Sequence, residues 1–132
     1  MAYWLLKSEP DSYSWDDLVA ETRTEWTGVR NPAAALHLKA MQVGDQALFY
    51  HSGKPRSVVG VAEVTRTAQQ DGDEARWVSV EIKPVAPLAV PVTLAAMKAA
   101  TRLADMQMLR QSRLSVSPVG ALEWREILKM GR

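Results

Sequence analysis

The chain has no cysteine, which excludes disulfides and thiolate chemistry. A metal site would have to be built from its two histidines and from carboxylates. No HExxH pattern, phosphate-cradling glycine loop or strained serine elbow is present. Asp71-Gly72-Asp73-Glu74 has acidic residues but not the spacing of a calcium loop, and it reads as a hairpin. No cofactor and no metal are expected. No apolar run approaches the roughly 20 residues of a membrane helix, so no membrane partner is expected. Met1-Ala2-Tyr3-Trp4-Leu5-Leu6-Lys7 lacks the basic start and long apolar stretch of a signal peptide, and the expected location is cytoplasmic. A net charge of +1 is too small for a general coat on DNA.

What is present is an ordinary globular balance, 47% hydrophobic and 23% charged, in 132 residues. That length predicts one domain, residues 1–132, with a real core. The charge is uneven: Lys98, Arg102, Arg110, Arg113, Arg125, Lys129 and Arg132 face only Asp105, Glu123 and Glu126 in the last stretch. Five tryptophans are many for this length. Trp4, Trp15, Trp77 and Trp124 sit at strand or helix-face positions and are expected in the core.

The pattern predicts strands over 2–7, 46–51, 58–65, 77–83 and 114–119. It predicts helices over 15–20, 32–41, 94–100 and 121–130, and an ambiguous, helix-prone stretch over 103–110. The polar run 21–25 reads as loop. Val78, Val80 and Ile82 are expected inward, Ser79, Glu81 and Lys83 outward. Pro84, Pro87 and Pro91 are expected to break the chain after that strand. Strands mixed with short helices, without a regular βαβ rhythm, predict an α+β fold on a curved or barrel-like sheet.

Trp26-Thr27-Gly28-Val29-Arg30-Asn31-Pro32-Ala33 carries the most chemistry. Asn31 is a favoured N-cap residue, and Pro32 fits the first helical position, where its missing N–H costs nothing. A loop with an indole, a permissive glycine and a guanidinium therefore runs into a helix start with free N–H groups. Those groups suit a flat, hydrogen-bonding ring such as a nucleobase. Trp26 is the candidate stacking face, although a core tryptophan is the plainer alternative. Asn31 can cap the helix through its oxygen and keep its amide donors for a base edge. Arg30 is a candidate for a phosphate or a base face, against a pairing with Glu9 or Asp11. Two strand ends add polar groups: Ser8 for a hydrogen bond, and Tyr50 or His51 as a pocket wall. Lys7, Arg113 and Ser115 are candidate phosphate contacts. His37 is expected at the surface.

Several segments resemble one family: Trp4-Leu5-Leu6-Lys7-Ser8-Glu9-Pro10, Trp26-Thr27-Gly28-Val29-Arg30-Asn31-Pro32, Gly44-Asp45 with Phe49-Tyr50-His51-Ser52, Val59-Gly60-Val61-Ala62-Glu63-Val64, and Arg110-Gln111-Ser112-Arg113-Leu114-Ser115-Val116. They look like the EVE domain, of the PUA-like superfamily, in order along nearly the whole chain. Only the stretch 67–76 carries no motif character. The resemblance implies a PUA-like pseudo-barrel flanked by helices, similar in fold to the YTH domains that read methylated adenine in RNA. It also implies binding of a modified base in DNA or RNA, most simply by a monomer.

Two rival functions follow from the same residues. Some PUA-like proteins are amidohydrolases for acylated nucleosides that use a lysine, a hydroxyl and a glutamate. Lys7, Ser8 and Glu63 supply those types, but alternation puts Lys7 and Ser8 on opposite faces of their strand. The basic C-terminal helix could instead dock a protein. The ligand-binding set expected from the sequence is Ser8, Trp26, Gly28, Val29, Arg30, Asn31, Tyr50 and His51, with no catalytic residue.

Overall fold

The computed structural model describes residues 1–132. In chain order its elements are β1 (Tyr3–Ser8), α1 (Trp15–Glu21), β2 (Thr24–Trp26), α2 (Pro32–Ala40), β3 (Gln46–His51), β4 (Ser57–Gln70), β5 (Val78–Thr93), α3 (Leu94–Ala99), a 3₁₀ turn (Thr101–Leu103), α4 (Gln107–Arg110), β6 (Val116–Val119) and α5 (Ala121–Met130). The strands form one open, six-stranded mixed sheet in the order β2-β5-β4-β3-β1-β6. The expected α+β class holds. No helix is long and apolar enough to cross a membrane.

The local signals that start the helices act as their residues dictate. Ser14 and Asp17 form a reciprocal capping box at α1. Asn31 adopts an extended conformation and accepts the Ala34 N–H at 3.0 Å, with Pro32 opening α2. Thr93 caps α3 in the same way.

Both faces of the sheet are buried, which is why β1, β3 and the first half of β4 read as continuous apolar runs. One face carries Trp4, Leu6, Ala47, Phe49, Ala62, Val64, Val80 and Ile82 beneath α1 and α2. The other carries Leu5, Leu48, Tyr50, Val61 and Val92 beneath the later helices, with Met97, Leu103, Met106, Trp124 and Ile127. Leu5, Leu6, Leu38, Leu48 and Ile127 are completely buried, each worth about 1.5–3 kcal/mol of transfer free energy. Trp4, Trp15, Trp77 and Trp124 are all core residues. The Trp15 ring lies directly over Gly60, where an added Cβ would sit 2.6 Å from the indole.

The sheet departs from the expected pattern in three places. Thr24–Trp26, expected to be mostly loop, forms an edge strand against Ile82, Glu81 and Val80 of β5. β5 does not stop at Pro84 but continues to Thr93, pairing Pro84 with Ala62 and Pro87 with Gly60 of β4. Because β2 begins only at Thr24, opposite Ile82, β5 has no strand on its other side from Pro84 onward, and an edge tolerates the missing N–H. Ser79, expected outward, is completely buried. Its hydroxyl donates to Glu25 at 2.7 Å and accepts from Arg66 at 2.9 Å. That network also offsets the like charges of Glu25 and Glu81, which face each other across β2 and β5.

Candidate functional site

Parallel pairing brings the C-terminal ends of β1 and β3 side by side, with Ser8 opposite His51. The loop between β2 and α2 meets that edge. Between them lies a hollow of about 430 Å³, within the range of small-molecule sites.

Trp26, at the end of β2, forms the hollow's aromatic wall. Its ring meets Tyr13 edge-on at 6.2 Å and Phe49 at 5.6 Å, and the residue stays half-buried. The indole is thus anchored in the core while still lining the hollow. The chain then turns at Gly28, whose φ of +80° lies in the left-handed region open to glycine. Val29 drops its side chain into the core, which pins the loop. Asn31 closes the hollow. Its oxygen is spent on the Ala34 N–H, and its amide donors have no protein partner.

Asp71 holds this loop from outside. Its carboxylate accepts from the Gly28 N–H at 2.8 Å and from Arg30 Nη1 at 3.0 Å. The Gly28 N–H and the Arg30 guanidinium hold the Asp71 carboxyl below its ordinary range. Arg30 also lies over the Trp77 ring at 5.7 Å. The sequence offered Glu9 or Asp11 only as the alternative to a phosphate or base contact for Arg30. Its partner, Asp71, comes instead from the 67–76 stretch.

On the β1 side, Ser8 Oγ donates to the Tyr13 carbonyl at 2.5 Å, which leaves its lone pairs free to accept. Lys7 Nζ donates to the Ser112 carbonyl at 2.6 Å. The Lys7 backbone N–H donates to the Ser115 carbonyl at 3.0 Å, which brings Ser115 to the rim.

The hollow therefore gathers Lys7, Ser8, Trp26, Gly28, Val29, Arg30, Asn31 and Ser115. It does not gather Tyr50, His51 or Arg113. Tyr50 belongs to the opposite face of the sheet, where it lines a separate hollow. His51 is turned into the structure: its Nε2 accepts the Trp15 N–H at 3.0 Å and its ring packs on Phe49 at 5.7 Å. Burial lowers its pKa, against the opposing pull of Asp16 and Glu9, so the imidazole is held neutral as an acceptor. Arg113 lies on a neighbouring shallow hollow that it shares with Asn31 and Arg110. His37 is half-buried against Trp4 at 5.9 Å, not a bare surface residue.

The sequence reading missed Glu9, Tyr13, Thr24, Glu25 and Thr27 among the lining residues. Thr24 and Thr27 flank Trp26 directly, so its assignment as a wall was the available signal for them. Tyr13 and Glu9 carried none. The amidohydrolase set is not assembled. Lys7 and Ser8 point to different carbonyls, and Glu63 pairs with Lys83 at 3.6 Å. Glu63 stands opposite Gln46, at the Tyr3 end of β1, about 16 Å along the strands from Ser8 at about 3.3 Å per residue.

The EVE domain model matches residues 2–130. The chain belongs to the EVE domain family. The NMR structure of a Rhodopseudomonas palustris protein is 52% identical at a TM-score of 0.94, covering 99% of this chain and 93% of that one. Human thymocyte nuclear protein 1 is 28% identical over 165 residues, which span 98% of this chain and 73% of the human protein. The human THYN1 protein, crystallised in complex with DNA containing 5-methylcytosine, matches this EVE domain at a TM-score of 0.94 and 27% identity, over 100% of this chain and 98% of that one. A YTH domain from Zygosaccharomyces rouxii shares the fold at a TM-score of 0.60 and 18% identity, over 98% and 83% of the two chains.

Proposed function

We propose that this EVE domain is a binding module that captures a modified nucleobase in the hollow beside Trp26, with the base flipped from a duplex or carried on a single strand. One observation carries the proposal: a half-buried indole shares a single hollow with an Asn31 amide whose donors are unspent. Flipping a base costs a few kcal/mol. Stacking on an aromatic ring returns about 1–3 kcal/mol, and a well-placed amide pair is worth about 1–3 kcal/mol of discrimination. One chain supplies the whole lining, so base capture by a monomer needs no second copy. Human THYN1, crystallised with 5-methylcytosine DNA, makes that base the first probe.

The test is fluorescence anisotropy with an oligonucleotide carrying one 5-methylcytosine and its unmodified twin, as single-stranded DNA, duplex DNA and RNA. The expected result is a preference of about tenfold or more for the modified base in at least one form, equivalent to about 1.4 kcal/mol. Equal affinity for both twins in every form overturns this choice of base. Equal affinity across a library of modified bases overturns the function.

A further inference from the structure

On the opposite face of the sheet, a second hollow of about 510 Å³ opens between the end of β1, the turn before β4, α3 and the loop after α4. Lys7, Arg56 and Lys98 line it, together with the hydroxyl-bearing Tyr50, Ser52 and Ser112. No carboxylate does. None of the three cations takes part in an ion pair. Resting on the base-capture reading, we infer that this hollow is a phosphate site that holds the sugar–phosphate backbone of the strand whose base enters the Trp26 hollow.

Charge around the base hollow is lopsided. On the β2–β5 side, Arg23 is matched by Glu81, Arg30 by Asp71 and Arg66 by Glu25. On the β1 side, Lys7, Arg56, Lys98, Arg110 and Arg113 are all left without acidic partners. An anionic strand is drawn to the uncompensated side. The hollows are also contiguous. Lys7 lines both the base hollow and the basic one, while Ser112 joins the basic hollow to that of Arg113 and Asn31. A backbone crossing this rim reaches both from one strand. Hydroxyl donors interleaved with cations are the usual means of gripping phosphate oxygens. Burial, with Arg56 close by, pulls the Lys7 ammonium below its ordinary pKa, a repulsion that a bound phosphate relieves.

The decisive variant is Arg56→Gln combined with Lys98→Gln. Both side chains are exposed, so an unchanged Tm certifies the fold. Binding of the 5-methylcytosine single strand and its unmodified twin is measured across a salt series, with Arg23→Gln as the paired-cation control. The expected result is an equal loss for both strands, an unchanged ratio between them, and a log–log salt slope shallower by about 1.4, since each phosphate contact on a single strand contributes about 0.7. Arg23→Gln leaves the slope as it was. An unmoved slope overturns the inference. So does a slope unmoved by the variant while inorganic phosphate shifts the NMR signals of Arg56 and Lys98, because the site then serves a free anion. If the wild type shows no base preference but the variant still loses slope, the base reading fails and the phosphate site stands.

Discussion

Truncating Trp26 to alanine tests both its anchoring and its role as a wall of the hollow. A fully buried tryptophan costs about 3–5 kcal/mol when truncated. Trp26 is half-buried and makes two edge-on aromatic contacts, so its loss should cost roughly 2 kcal/mol, near half the full burial value. An unfolding entropy of about 2.1 cal/mol/K per residue gives about 0.28 kcal/mol/K for 132 residues, and hence a Tm drop of about 7 °C. Binding should suffer more. Losing one base stack removes about 1–3 kcal/mol, or roughly 5- to 160-fold in affinity. Trp26→Phe should recover part of both losses. Calorimetry and anisotropy on the same preparations read the two effects separately. A Trp26→Ala protein that keeps the wild-type preference for the modified base refutes the stacking role. A Tm drop beyond about 14 °C makes the indole a core residue first, and the recognition assignment then has to be rebuilt around Asn31 and Ser8.

Three further outcomes follow from packing and charge. Gly60→Ala places a methyl 2.6 Å from the Trp15 ring, and overpacking of this kind costs about 1–3 kcal/mol, so calorimetry should show a Tm lower by about 4–11 °C. Asp71→Ala removes the acceptor of the Gly28 N–H and the partner of Arg30, so hydrogen exchange at Gly28 should quicken, base affinity should fall, and stability should drop by roughly 1 kcal/mol because the pair is partly solvated. His51 is held neutral by burial, so its share of stability is complete above the unfolded histidine pKa of about 6.5 and is lost as pH falls toward its lower folded value. His37, also lowered by burial, acts in the same direction. Urea melts from pH 7.5 down to 5 should therefore show stability declining, and His51→Gln, which keeps an acceptor that does not titrate, should flatten the curve.

Local chemistry was legible in the sequence wherever one residue type does one local job. Ser14, Asn31 and Thr93 are residue types that cap helices and do so here, and the apolar runs at Leu5–Leu6 and Leu48–Phe49 announced strands. The helix-start half of the site followed from that same local signal. What stayed hidden depends on partners distant in sequence. Pro84 and Pro87 look like breakers until β2 is known to start too late to require their N–H groups. Ser79 looks like a wet-face residue until Glu25 and Arg66 are seen to enclose it. Asp71 has no local pattern at all, yet it holds Gly28 from 43 residues away. His51 offered a plausible pocket wall by residue type, but its ring nitrogen was already committed to the start of α1.

The cap at Asn31 separates inheritance of the fold from inheritance of preference. One side chain is divided between two atoms: the oxygen holds α2 together, and the nitrogen alone is left free at the hollow. Aspartate caps a helix about as well as asparagine, but it presents an acceptor where asparagine presents a donor. Exchanging the two inverts the hydrogen-bonding demand made on a ring edge while the helix keeps its anchor. Under the proposed base capture, drift at this codon would retune which ring is admitted without passing through an unfolded ancestor. Such a scaffold can diversify its clientele one atom at a time.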